Sequence, residues 1–193
     1  MSDTAADAKS GGSEDSRKVR LRSAEGDSYE LPYQSALLSI LVKNTIEVED
    51  SDDDDDDDDN DNKESDVYEI DIPKVSSNTL AHVVKFMRHH VEEEAMEPLT
   101  TPLNGNDIKT IFASQPWYRD YIENMDRSMV FKIVQAANFM EIQSLLDIAC
   151  LRVSTELVGK SAEEIRVILN LPKMTDEEHE EARKKHPWIF ETD

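Results

Sequence analysis

The amino-acid sequence predicts an α+β fold in which helices flank a three-stranded sheet. Three short segments alternate apolar and polar residues, a pattern that is typical of half-buried strands. The segments between and after them carry apolar residues at the spacing of amphipathic helices. A length of 193 residues is sufficient for one domain of ordinary size with additional segments.

The predicted strands lie in the N-terminal part of the chain. Val19 and Leu21 alternate with arginines, and a glycine-containing turn then leads into a second alternating segment. This pattern predicts a β-hairpin over residues 18–33. Residues 68–72 alternate in the same way and form the third predicted strand, which ends at Pro73.

Four amphipathic helices are predicted around and after the third strand. Ser35 and Asn78 are placed to cap the first two, which lie on either side of that strand in the sequence. The other two run over residues 126–138 and 142–158, each with a broad apolar stripe. Residues 92–107 are acidic and contain proline and glycine, so they are predicted to form a loop.

The charge of the chain is strongly negative and unevenly distributed. Lys and Arg number 21 against 43 Asp and Glu, which gives a formal net charge of −22. Residues 47–66 include eight consecutive aspartates, and such a block of like charge repels itself and cannot fold. We therefore predict a disordered tail at 1–16, a folded domain at 17–158 with a disordered acidic insertion at 47–66, and a C-terminal extension at 159–193.

Several partner classes and compartments are disfavoured by composition. The shortage of basic residues argues against direct binding to nucleic acid or to an anionic membrane, because phosphate binding depends on Lys and Arg. The longest apolar stretch, residues 36–42, is far shorter than the roughly 20 residues that span a bilayer. With one cysteine, Cys150, and no secretory signal at the start, we expect a protein of the cytoplasm, the nucleus or both.

No motif for catalysis stands out in the sequence. Phosphate-binding glycine loops and the H-E-x-x-H metal motif are absent. His89 and His90 are the best metal candidates, but adjacent helical residues point about 100° apart, and their acidic neighbours indicate a solvated helix end. Cys150 shares a helix face with apolar residues, so it is interpreted as a small hydrophobic residue. We expect no catalytic, metal or cofactor site.

The C-terminal residues carry apolar side chains beside strongly polar helices. Residues 161–164 and 175–178 match the capping box of a helix N-terminus, so two short helices are predicted to begin there. The second helix is polar nearly all round, and Trp188 follows it. These apolar residues, with the stripes of the two preceding helices, either complete the core or receive a helical partner.

Three segments, residues 136–150, 159–166 and 183–188, resemble signatures of the S-phase kinase-associated protein family, whose members are adaptors of SCF ubiquitin ligases. Residues 136–150 read AANFMEIQSLLDIAC, which is similar to the family pattern A-A-N-Y-L-D-I-x-x-L-L-D-x-x-C. Residues 159–166 read GKSAEEIR and resemble G-K-T-P-E-E-I-R, and residues 183–188 read RKKHPW and resemble R-K-E-N-x-W. The similarity extends over about residues 18–190.

This resemblance implies a BTB/POZ fold, a three-stranded sheet with flanking helices, followed by a two-helix C-terminal extension that binds F-box proteins. It also implies a non-catalytic adaptor that serves ubiquitin-dependent protein degradation. Such an adaptor links an F-box protein, which holds the substrate, to a cullin scaffold. The cullin in turn holds the RING subunit and the ubiquitin-conjugating enzyme.

The resemblance further implies where the partners bind. The cullin-binding residues are expected to be Asn138 and Phe139, the latter in place of the tyrosine usual in the family. The F-box-binding surface is expected to include Val130, Val134, Leu146, Cys150, Val153, Leu157, Ile165, Leu169 and Trp188.

Two other functions remain open at this level. An elongin-C-like adaptor of another cullin would share the BTB fold, but that type lacks the C-terminal helix pair, so residues 163–188 argue against it. The acidic block would also suit a histone-chaperone-like protein that binds basic partners. An adaptor and a chaperone differ in whether they need residues 47–66: deletion of this segment should abolish chaperone activity and leave adaptor activity intact.

Overall fold

A three-stranded β-sheet and a set of α-helices make up the computed structural model, which describes residues 17–52, 67–103 and 105–189. The α+β class predicted from the sequence is therefore confirmed. The predicted tail at 1–16 and most of the predicted acidic insertion, residues 53–66, lie outside the described residues.

The sheet has the strand order β2-β1-β3, where β1 is Lys18–Arg22, β2 is Ser28–Pro32 and β3 is Val67–Asp71. β1 and β2 pair antiparallel, and Gly26 in the turn between them has a φ of 92°, which residues with a Cβ rarely adopt. β1 and β3 pair in parallel over their full length. The predicted hairpin and the predicted third strand are both present.

The two faces of the sheet differ in burial and charge. The buried side chains of the inner face are those of Val19, Leu21, Leu31 and Ile70. On the outer face, neighbouring strands are joined by ion pairs, such as Arg22 with Asp71, whose two N–O distances are 2.6 and 2.8 Å. Exposed pairs of this kind contribute little because solvent screens them, so burial of the inner face supplies most of the stability of the sheet.

The two helices that follow β2 are α1, Tyr33–Ala36, and α2, Ile40–Asp52. Ser35 lies inside α1, so the predicted cap at this position is wrong. Ser39 occupies the capping position of α2 instead, and its hydroxyl accepts a hydrogen bond from the Val42 N–H at 3.2 Å. The same hydroxyl donates to the carbonyl of Met140 at 2.5 Å, a tertiary contact that sequence spacing does not show.

Helix α2 extends further than the sequence predicts. It continues to Asp52, so residues 47–52 of the predicted acidic insertion are helical. Lys43 Nζ lies 3.8 Å from Glu47 Oε1 one turn further on, and such opposite charges four residues apart favour a helix. The high density of acidic residues therefore does not by itself mark the end of the helix.

Helix α3 spans Ser77–Arg88 and provides much of the core. Its buried apolar side chains are Leu80, Val83, Val84, Phe86 and Met87. The predicted cap at Asn78 is wrong, because this residue lies within the first turn and Ser76 is the N-cap. The start of the helix is held from another element, since the Glu25 carboxylate accepts hydrogen bonds from the N–H and the hydroxyl of Ser77 at 2.6 and 3.0 Å.

The remaining helices of the described structure are α4, Ile108–Ile111, α5, Pro116–Glu123, α6, Arg127–Phe139, α7, Gln143–Leu157, α8, Ala162–Ile168, and α9, Asp176–Lys185. A short 3-10 turn at Pro187–Ile189 follows α9. Asp126 caps α6 by accepting a hydrogen bond from the Met129 N–H at 2.8 Å. Among the described helices, none is both long enough and apolar enough to cross a membrane.

An aromatic cluster holds the segment that follows α3. A π-helical turn at His89–Glu93 brings His89 against Trp117 of α5, with ring centroids 3.6 Å apart and planes 8° from parallel. Nδ1 of His90 accepts a hydrogen bond from the Met96 N–H at 3.1 Å, and burial lowers the pKa of His90. The solvated helix end predicted from the acidic neighbours is confirmed, because residues 91–95 are exposed, whereas His89 itself is buried against α5.

The chain divides into two units, Met1–Arg152 and Val153–Asp193. The first unit contains the sheet and a core whose side chains, such as Leu21, Phe86 and Ile133, have no exposed surface. In the described part of the second unit, no side chain is buried. The division falls within α7 and comes before the boundary at residue 159 that the sequence predicts.

We expect Ser39→Ala to lower the free energy of unfolding by about 1–3 kcal/mol. The change removes the cap of α2 and the 2.5 Å hydrogen bond to the Met140 carbonyl, which keeps only the longer bond from the Leu41 N–H at 3.4 Å, at a site where Ser39 is fully buried. Urea unfolding followed by circular dichroism measures the loss. Ser128→Ala, at an exposed position of α6, is the control and should change the free energy by less than about 0.5 kcal/mol. Equal losses in both variants would contradict this role of Ser39.

Candidate protein-interaction surfaces

The second unit carries apolar side chains on its surface. Trp188 is 71% exposed and Val167 is 63% exposed, while Ile165 and Leu169 of α8 are only half-buried. Monomeric proteins seldom leave several large apolar side chains uncovered in one small region unless that region binds a partner. This unit therefore has the composition of an interaction surface and, within the described residues, no core of its own.

Local hydrogen bonds determine where α8 begins and ends. Ser161 and Glu164 form the predicted capping box, with the Glu164 carboxylate accepting from the Ser161 N–H at 2.8 Å. Hydrogen bonds from Ser161 lower the pKa of the Glu164 carboxyl group. At the other end, Asn170 adopts a left-handed φ of 53°, and the Leu171 N–H donates to the Arg166 carbonyl at 2.8 Å. These hydrogen bonds set the two ends of α8, although none of its residues is fully buried.

Helix α9 is specified in a similar local way. Thr175 and Glu178 form the second predicted capping box. Acidic residues occupy its first turn and basic residues its last turn, an arrangement that complements the helix dipole. No side chain of α9 is buried. Since packing supplies most helical stability in proteins, this helix lacks the interaction that usually stabilises a helix.

Trp188 is the largest uncovered apolar side chain of the second unit, and it lies in the turn just after α9. Burying the exposed part of a tryptophan releases on the order of 4 kcal/mol, before the entropy cost of association is subtracted. A partner surface that covers Trp188 would therefore gain substantial binding energy from this one residue.

The predicted contact residues of α6 and α7 separate into two groups in the first unit. Val134 and Leu146 are half-buried and Cys150 is exposed, so these three are accessible to a partner. Val130 is 2% exposed, so its side chain belongs to the core and offers no accessible surface for the predicted F-box contact. The opposite face of α7 is buried through Leu145, Ile148 and Ala149.

Val153 and Leu157, on the last turns of α7, belong to the second unit. Both side chains are half-buried. Gly159 follows the helix with a φ of 73°, a left-handed conformation that glycine adopts without steric cost. The sequence prediction that α7 stops at this glycine agrees with the structure.

The thiol of Cys150 is accessible but weakly acidic. Partial burial raises its pKa above the ordinary value of 9.0, and the negative charge of Asp147 raises it further. A thiol with a raised pKa is protonated near neutral pH, and the protonated form is a poor nucleophile. These properties agree with a small apolar contact residue.

Asn138 and Phe139 lie at the end of α6, where the backbone reverses sharply. Glu141 adopts a left-handed φ of 53°, and its N–H donates to the Asn138 carbonyl at 3.3 Å. Asn138 is exposed and Phe139 is half-buried, so both side chains are accessible. The ammonium group of Lys74 lies 5.1 Å from the centroid of the Phe139 ring, within the range of a cation–π contact.

Sequence reasoning did not identify Lys74 as part of this surface. It lies 65 residues away from Phe139 in the chain, in the loop between β3 and α3, and no periodic pattern joins the two. One signal was available: residues 72–91 contain no acidic residue in a chain of net charge −22. Such a local excess of positive charge can mark a surface for a negatively charged partner.

Over residues 17–52, 67–103 and 105–189, no group of three His, Cys, Asp or Glu side chains is arranged to hold a metal ion. His89 and His90 both pack within the aromatic cluster, where His89 stacks on Trp117 and His90 lies 5.6 Å from Phe86, centroid to centroid. Their side chains therefore contribute to packing.

Comparisons with known proteins match this chain over most of its length. A family model described as "Skp1 family, dimerisation domain" matches residues 143–189, which include α7, α8 and α9. SKP1-like protein 1A of Arabidopsis thaliana is 32% identical over 181 residues, covering 91% of this chain and 98% of the relative.

Two further relatives come from other kingdoms. The SCF ubiquitin ligase complex protein SKP1b of Dictyostelium discoideum is 32% identical over 171 residues, or 88% of this chain and 94% of the relative. Suppressor of kinetochore protein 1 of Schizosaccharomyces pombe is 31% identical over 176 residues, or 89% of this chain and 96% of the relative. The similarity thus extends well beyond the C-terminal segment.

The rate of alkylation of Cys150 by iodoacetamide should reach half its maximum at a higher pH than the rate for a cysteine in a short unstructured peptide, because partial burial and Asp147 raise the thiol pKa. As the single cysteine, Cys150 gives an unambiguous signal in intact-mass spectrometry. Asp147→Asn should move the midpoint to lower pH by removing the negative charge. A midpoint in the native chain at or below that of the peptide cysteine would contradict the described surroundings of the thiol.

Proposed function

This chain belongs to the Skp1 family, and from that premise we propose that it is the adaptor subunit of an SCF-type cullin-RING ubiquitin ligase. In this role it bridges a cullin scaffold to F-box substrate receptors and has no catalytic step of its own. The observation that carries the proposal is the second unit, which exposes apolar side chains, buries none among its described residues and lies largely within the segment matched by the family model.

We propose that the first unit is a BTB/POZ domain and that α8 and α9 form its C-terminal F-box-binding extension. The order β2-β1-β3 with helices α3 and α6 against one another supports the first assignment. The presence of both α8 and α9 favours an SCF adaptor over an elongin-C-like adaptor, because the latter type lacks this helix pair. The cytoplasm and the nucleus are the proposed locations.

The F-box partner is proposed to complete the hydrophobic packing that the second unit lacks. In that unit the proposed contacts are Val153, Leu157, Ile165, Leu169 and Trp188, and in the first unit they are Val134, Leu146 and Cys150. A permanent interface of this apolar kind buries roughly 2,000 Å² or more. When the F-box partner covers these half-buried and exposed apolar side chains, their removal from water stabilises the complex.

The cullin is proposed to contact Asn138 and Phe139. An exposed amide beside an accessible aromatic ring offers both a hydrogen-bonding group and an apolar anchor, a combination common at the centre of protein interfaces. The RING subunit and the ubiquitin-conjugating enzyme then associate indirectly, through the cullin. The alternative of an acidic histone-chaperone-like protein rests on the aspartate run, most of which lies outside the described residues, and no described contact favours it.

We expect Trp188→Ala to weaken binding of an F-box protein from the same organism by at least about 30-fold, because an exposed tryptophan is a strong candidate for an interface hot spot. Isothermal titration calorimetry with the full chain measures the affinity. The free energy of unfolding should change by less than about 0.5 kcal/mol, since the side chain is 71% exposed in the free chain.

The matched control for Trp188→Ala is Val91→Ala, which removes an exposed apolar side chain from the first unit. This variant should bind the F-box protein with native affinity. Removal of residues 161–193 should abolish F-box binding while the first unit stays folded, as judged by circular dichroism. Unchanged F-box affinity in the truncated chain would show that the extension is not the binding surface.

Asn138→Lys combined with Phe139→Lys should weaken cullin binding more than about tenfold, because each change places an unpaired charge within an apolar contact. Surface plasmon resonance with the N-terminal domain of the cullin from the same organism measures this loss. F-box binding should be retained. A parallel loss of F-box binding would indicate misfolding and would contradict a local role for the two residues.

A further inference from the structure

A surface with a local excess of basic residues is formed by α3 and α6, which contact each other. Residues 72–91 and 127–140, which contain these helices, include five Lys and Arg residues and no Asp or Glu. The whole chain has a net charge of −22, so this separation of charge is pronounced. A surface of this kind attracts an acidic partner even when the protein as a whole is acidic.

A surface cavity of about 220 Å³ lies between the start of α3 and the second half of α6. Its lining includes Lys74, Val75, Thr79, Lys132, Gln135 and Ala136. Val75, Thr79 and Ala136 are buried and form the inner wall, whereas the two lysines and Gln135 are exposed at the rim. The cavity therefore suits a side chain with a short apolar stem and a negatively charged end.

The two lysines of this cavity have no carboxylate partner among the described residues. Other lysines of the chain do, such as Lys18, whose Nζ lies 2.7 Å from Glu30, and Lys185, whose Nζ lies 2.7 Å from Glu181. The Glu25 carboxylate forms hydrogen bonds with the N–H and hydroxyl of Ser77 and no ion pair with either lysine. Two positive charges beside one cavity repel each other until an anion binds between them.

The cavity adjoins the surface proposed for the cullin. Lys74 contributes to both, since it lines the cavity and its Nζ lies 5.1 Å from the Phe139 ring centroid. Gln135 lies on α6 one turn before Phe139, and Lys132 lies two turns before it. A partner segment that covers Phe139 would therefore pass over the mouth of the cavity.

We propose that this cavity receives the carboxylate of a glutamate or aspartate from the same cullin segment that contacts Phe139. The inference rests on the proposed function, because the cullin is the partner it names. The carboxylate would accept hydrogen bonds from the ammonium groups of Lys74 and Lys132 and the side-chain amide of Gln135, while its stem contacts Val75 and Ala136. Charge-assisted bonds of this type add to affinity and fix the register of the partner segment.

The test compares three charge reversals in the full chain. Lys74→Glu and Lys132→Glu place a negative charge at the cavity, whereas Lys85→Glu makes the same change on α3 beside a different cavity, one lined by Trp117 and Tyr121. All three lysines are exposed, so the fold should be kept, and F-box binding together with thermal unfolding verifies this. Affinity for the N-terminal domain of the cullin from the same organism is measured by surface plasmon resonance.

Lys74→Glu and Lys132→Glu should each weaken cullin binding at least about tenfold, and Lys85→Glu by less than about twofold. The second arm replaces the acidic residues of the cullin segment with lysine, one at a time. One of these replacements should restore the binding of Lys132→Glu while weakening that of the native chain, because it re-forms the pair with the charges exchanged.

The failures of this inference and of the proposed function are distinguishable. If the native chain binds the cullin and the three reversals have equal effects, the cavity does not receive a carboxylate, but the adaptor function stands. If the native chain does not bind the cullin at all, the proposed function itself is contradicted. If Lys132→Glu abolishes only self-association of the chain, as measured by light scattering, the occupant is a second copy and the cullin assignment is wrong.

Discussion

The packing of α3 against α6 is the interaction on which both the core and the proposed cullin surface depend. α3 contributes fully buried side chains such as Leu80 and Phe86, and α6 contributes Ile133. The same packing holds the loop before α3 near the end of α6, so that Lys74 reaches the ring of Phe139. The α3–α6 interface therefore both packs the core and positions Lys74 beside Phe139. A substitution that disturbs the buried side chains of this interface would also displace these contact residues at its edge.

The helices of the second unit are stabilised by local interactions and not by a packed core. Its helices are defined by capping boxes at Ser161 and Thr175 and by complementary charges, with no buried side chain in the described residues. A helix cap contributes about 0.5–2 kcal/mol, which orders a helix end but does not replace a packed core. In the proposed complex, covering the exposed apolar side chains of this unit, Trp188 among them, would supply the free energy of association.

Much of the fold was predictable because it is specified by local patterns. Alternation located all three strands, and both capping boxes marked the helices that they begin. The wrong caps, Ser35 and Asn78, lie near several other small polar residues that could serve equally well on local grounds. Tertiary hydrogen bonds selected among them: the Met140 carbonyl binds Ser39, and the Glu25 carboxylate binds the first residue of α3.

By itself, the sequence determined the order of strands and helices, the excess of apolar side chains near the C-terminus and the motifs of the Skp1 family. Only the tertiary structure decided that Val130 is buried while Leu146 is accessible, and that Lys74 contacts Phe139. The reason is physical: the spacing of residues shows which of them share a face of a helix, but what packs on that face depends on segments far apart in the chain.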